Sequence, residues 1–117
     1  MSSKRQRYYI QIDDLSLARG DEPELSFDAA TVAGLATAVT EALRQGDLFE
    51  SWRMRQEEPD DVDPQLGQID AQAEVSAKMV RSRVDMSIIT GLPHALIKHR
   101  LRLLIGEHWR LHDVKAV

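Results

Sequence analysis

Residues 69–90 read IDAQAEVSAKMVRSRVDMSIIT, and whether they form strand or helix decides the fold. Ile69, Ala71, Ala73, Val75, Ala77 and Met79 alternate with polar residues without a miss, the period of a half-buried strand. Their alanines pull toward helix, but propensity is a weak force against an unbroken period. Beyond Val80 the phase changes, and Val84, Met86 and Ile88 become the inward set. A bulge or a break near residues 80–82 accounts for the change, and 84–90 reads as a strand. The middle of the domain is therefore expected to be a long β-hairpin or one bulged strand.

Working toward the N-terminus, residues 57–67 carry Glu57, Glu58, Asp60, Asp61 and Asp63 with Pro59 and Pro64, and end at Gly67. That composition predicts a mobile acidic loop. In 48–56, Leu48, Trp52 and Met54 alternate with Ser51, Arg53 and Arg55, which predicts a strand. A helix is expected over 29–45. Asp28 is a suitable N-cap, and Val32, Leu35, Ala36, Val39 and Leu43 share one face. Phe27 and Val32 have the spacing of a hydrophobic staple, and Gly46 stands where a left-handed C-terminal cap is wanted. Tyr8, Ile10 and Ile12 alternate as a first strand, which Leu15 and Leu17 extend if a bulge falls at residues 13–14.

Toward the C-terminus, residues 91–106 fit a helix or a strand. As a helix, Pro93 falls in the first turn and Gly106 past the end. His94, Lys98, His99 and Arg102 then gather on one side, opposite a broad apolar arc interrupted only by Arg100. As a strand, Ile97, Leu101, Leu103 and Ile105 alternate with Lys98, Arg100 and Arg102, and residues 106–107 make a hairpin turn. The helix is preferred. Residues 109–115 read as a last strand.

The expected class is α+β, an antiparallel sheet covered on one face by two helices. The element order resembles the βαββαβ pattern of ferredoxin-like domains. The resemblance rests on element order alone, and such a fold hosts many unrelated functions. At 117 residues with 43% apolar content, the chain is expected to be a single domain with its own core, residues 1–6 being disordered.

The chain contains no cysteine, which excludes a disulfide scaffold, a thiolate metal site and a cysteine nucleophile. The basic start runs into Tyr8 and Tyr9 rather than a long apolar segment, so no secretory signal is visible. Apolar runs fall far short of the ~20 residues that span a bilayer. A cytoplasmic protein is expected.

Charge is unevenly distributed. Residues 1–77 hold 7 Lys/Arg against 16 Asp/Glu, net −9, whereas 78–117 hold 8 against 3, net +5. Such a split can steer a partner or pair one copy with another. The basic face of His94, Lys98, Arg100 and Arg102 and the acidic loop of Glu57, Glu58, Asp60, Asp61 and Asp63 are the candidate docking surfaces. Trp52 and Met54, if on an edge strand, offer a third.

Chemistry finds little support. His108 and His112 would share a face on a strand yet stand roughly 13 Å apart, too far to share one ion. The run 57–63 lacks the alternating ligands and closing Glu of a calcium loop. No serine stands in a nucleophile motif, and the 6 glycines form no phosphate-cradling cluster. Neither a cofactor nor a metal is expected. The leading reading is a small non-catalytic interaction module, a homodimer joined by charge-complementary or strand-edge contacts. A nucleic-acid accessory protein using a basic face across 81–110, with Arg81, Arg83 and Arg110, is the alternative. A ligand-binding protein or enzyme with a pocket between helix and sheet, near Asp13, Asp14 and Trp52, is the third.

Overall fold

Alternating apolar residues build the sheet from its centre outward. In the computed structural model, which describes residues 5–28 and 31–117, β1 (Gln6–Ile12) buries Tyr8, Ile10 and Ile12. They lie opposite Ile88, Met86 and Val84 of β3 (Arg83–Thr90). β2 (Glu74–Val80) joins β3 on one side and β4 (Arg110–Ala116) joins β1 on the other, giving the antiparallel order β2-β3-β1-β4. It follows that β1 and β2 run parallel with β3 between them, and that β3 and β4 run parallel with β1 between them.

The hairpin between β2 and β3 explains the phase change seen in the sequence. Val80 pairs with Arg83, leaving Arg81 and Ser82 as a two-residue turn. Arg81 has φ of 62°, the left-handed conformation such turns demand. The strand expected over 69–80 begins only at Glu74. Before it, Asp70 donates its N–H to the Leu43 carbonyl and accepts from Thr90 Oγ1 at 2.6 Å. These bonds hold residues 69–73 in a turn.

Two helices cover the inner face. α1 (Val32–Arg44) buries Leu35, Val39, Ala42 and Leu43, and α3 (His94–Ile105) buries Leu96, Ile97, Leu101, Leu104 and Ile105. The helical reading of 91–106 holds: Pro93 precedes α3, and Gly106 ends it with φ of 67°. The cap of α1 is Thr31, whose side chain accepts from the Gly34 N–H at 3.0 Å, and not Asp28. Residues 29 and 30 of the expected helix lie outside the described residues. Gly46 is not left-handed; at φ of −88° it leads directly into α2 (Asp47–Arg53).

That second helix replaces the strand expected at 48–56. The alternation of Leu48, Trp52 and Met54 skipped Phe49, which is buried. Leu48, Phe49 and Trp52 share a helical face, and Glu50 pairs with Arg53 one turn on. Leu15 and Leu17 likewise form a turn of 3-10 helix, Leu15–Leu17, because Asp14 accepts the Ser16 N–H and diverts the strand. The acidic segment contains two more such turns, Pro59–Asp61 and Pro64–Gly67. Of the N-terminal residues expected to be disordered, 1–4 lie outside the described residues, whereas Gln6 opens β1.

Candidate functional site

A helix advances about 100° per residue, so His94, Lys98 and Arg102 form a stripe while Arg100 falls on the far side. The structure separates them accordingly. The short connection after Gly106 returns β4 alongside α3. The stripe therefore becomes one wall of a groove of about 340 Å³ whose other wall carries Trp109, Arg110 and Leu111. His94 stacks on Tyr8 with ring centres 6.0 Å apart, and Trp109 Nε1 donates to the Gly106 carbonyl at 3.2 Å. Arg102 pairs with Glu107 at 3.6 Å and Arg110 with Asp13 at 2.8 Å. Lys98 is exposed and has no ion pair among the described residues. The Arg110 side chain turns to the outer face of the sheet beside Gln11 and Asp13, so the cations of the groove are Lys98 and Arg102 of α3, facing Trp109 and Leu111.

Arg100 is not a docking residue. Only 1% of it is exposed, and its guanidinium donates to the carbonyls of Ala42 at 2.9 Å, Leu66 at 2.5 Å and Gln68 at 2.9 Å. Burial lowers its pKa, although an arginine in protein keeps its proton. Next to it, His99 meets Trp52 edge-on at 4.4 Å. Neither His99 ring nitrogen has a hydrogen-bond partner among the described residues. Burial, then the charges of Arg100 and Arg102, hold its pKa below the ordinary 6.5.

Trp52 and Met54 belong to α2 and its end, so they form no strand edge. Trp52 also contacts Phe49 and is half-buried, while Met54 is 61% exposed. The acidic residues Glu57, Glu58, Asp60, Asp61 and Asp63 are exposed between α2 and β2. Arg53 lies 3.8 Å from Asp60, and the Asp63 carboxylate accepts the Gln65 N–H. No ion pair joins this loop to the stripe of α3 among the described residues.

Arg81 and Arg83 stand at the β2–β3 hairpin, with β1 between their strand and β4. Arg83 pairs with Asp85 at 3.0 Å. The basic residues of 81–110 therefore do not form one face. Asp13 and Asp14 line a depression of about 300 Å³ with Glu107, His108, Trp109 and Arg110, and Trp52 is not part of it. The space between helices and sheet is filled by Ile10, Met86, Ile88, Leu35, Val39, Ile97 and Leu101, all nearly inaccessible.

Among the described residues, no helix covers the outer face of the sheet. Its rows run Ser76, Ser87, Tyr9, Asp113 and then Lys78, Asp85, Gln11, Arg110 across the strands. Ser76, Ser87, Tyr9, Lys78, Asp85 and Gln11 of these rows, with His112 at the β4 bulge, line a shallow depression of about 520 Å³. The sequence signal for the groove's second wall was present but indirect. A left-handed glycine and a short connection must return the last strand past the helix it follows. Among the described residues, no cluster of three His, Asp or Glu could hold a metal ion, and no helix is long and apolar enough to cross a membrane.

The chain matches no protein-family model, no curated protein and no solved structure.

Proposed function

We propose that this chain is a small non-catalytic docking module that takes an acidic polypeptide segment into the groove between α3 and β4. The observation that carries the reading is the stripe of His94, Lys98 and Arg102 on α3 facing Trp109 and Leu111 across one groove. Cations at a rim steer an acidic segment and set its register, while the apolar floor supplies contact area. The acidic loop 57–63 leaves its carboxylates exposed, and a second copy of the chain can present it to the groove. Charge −9 on one part and +5 on the other favours such an approach between copies.

A ferredoxin-like arrangement is the finer reading of the fold. It is supported by two interleaved β-α-β units in the order β2-β3-β1-β4. A cytoplasmic setting goes with it, on the strength of a chain without cysteine.

Titration of a labelled peptide of residues 56–65 against the full chain tests the docking. Saturable binding that weakens with salt, and is lost in K98E/R102E, is expected. Equal binding by that variant, or none by the wild type at low salt, overturns the reading.

A further inference from the structure

The two edges of the sheet are not alike. β4 is interrupted by a bulge between its pairings with Tyr9 and Ile10, and carries Arg110, His112, Asp113 and Lys115. Bulges and clustered charge are the ordinary means of blunting an edge. β2 has neither: its register with β3 is unbroken from Glu74 to Val80, and it contains no proline. Among the described residues, the backbone of Glu74–Val80 makes no hydrogen bond beyond that ladder. On its inner side Val75 and Ala77 are only half-buried, and Met79 is 47% exposed.

We infer that β2 is a self-pairing edge, joining two copies antiparallel about Ser76 into one continuous sheet. The sequence of β2 is self-complementary in that register. Glu74 falls opposite Lys78 of the second copy, and Lys78 opposite its Glu74, one ion pair on each side of the two-fold axis. On the inner side Val75 meets Ala77, and the ladder ends there because Ala73 is buried with its N–H on Asp70 and its carbonyl on Arg44. Shifting the centre to Ala77 instead opposes Glu74 to Val80 and Lys78 to Ser76, which leaves both charges unmatched. The partner is thus a second copy of this chain, selected by charge pairing along a free ladder. Arg5, 3.6 Å from Glu74, stays on the same outer face and leaves that carboxylate 68% exposed. The pairing is independent of the α3–β4 groove, which lies beside the opposite edge.

Sedimentation velocity on the full chain tests it with charge swaps at exposed positions. E74K and K78E alone are each expected to weaken dimerisation on the order of tenfold, by placing like charges opposite each other. The double swap E74K/K78E restores the complementarity and the dimer. Amides of 74–80 should also exchange more slowly as protein concentration rises. A wild-type monomer, single swaps without effect, or a double swap that does not rescue overturns the inference. A dimer lost in K98E/R102E but kept in E74K would assign association to the groove instead.

Discussion

Arg100 Nη1 donates a 2.9 Å hydrogen bond to the carbonyl of Ala42, so a cation on the buried side of α3 closes the last turn of α1. The acceptor lies where a helix leaves carbonyls unpaired and carries partial negative charge. The same guanidinium reaches Leu66 and Gln68, fastening the end of the acidic segment to both helices. Phe49 of α2 packs under it, 5.8 Å from the guanidinium carbon to the ring centre.

Replacing Arg100 with methionine keeps most of the stem but leaves three carbonyls without this donor. A loss of about 3 kcal/mol or more is expected, since each buried acceptor left unpaired costs about 1–3 kcal/mol. Lysine, a compact ammonium that cannot reproduce the planar fork, should recover only part. Urea unfolding measures both. A methionine variant within ~1 kcal/mol of wild type would show that the clamp adds little.

His99 makes stability depend on pH. Its folded pKa lies below the unfolded 6.5, so between the two values the unfolded chain binds the proton and the folded chain does not. Its contribution is complete above pH 6.5 and is lost as pH falls toward the folded value. The slope cannot exceed about 1.4 kcal/mol per pH unit for one group. Comparing wild type with His99→Gln by urea unfolding at neutral and mildly acid pH isolates it. Parallel pH profiles for the two proteins would remove His99 as the source.

Three glycines should respond differently to alanine. A Cβ on Gly20 would stand 2.2 Å from the Leu103 carbonyl oxygen, where the chain crosses the end of α3. One on Gly106 would stand 2.7 Å from the Arg19 carbonyl oxygen, in a backbone already at φ of 67°. Both substitutions are expected to cost about 1–3 kcal/mol. Gly46 has nothing within 4 Å and a negative φ, so G46A should fall within about 0.5 kcal/mol of wild type. Thermal melts order the three, and a G46A as damaging as G20A would contradict the packing described.

Where local pattern and burial agree, the sequence alone determined the result. Tyr8, Ile10 and Ile12, Val84 to Ile88, and the stripe of His94, Lys98 and Arg102 were legible because a period of two or 3.6 repeats long enough to name its element. Their placement in a helix-covered antiparallel sheet follows from the need to bury one face of each. Short segments were decided by neighbours. Residues 48–54 fit either period, and packing of Phe49 and Trp52 against α3 selected the helix. Residues 69–73 alternate like a strand, yet Asp70 ties them to α1 and β3. Arg100 interrupted the apolar arc of the wheel yet was grouped with the basic face by its charge, because a sequence does not show the three carbonyls that surround it. The groove and the free edge of β2 are likewise tertiary facts. Each depends on which strands lie side by side, and pairing between distant segments leaves no periodic trace along the chain.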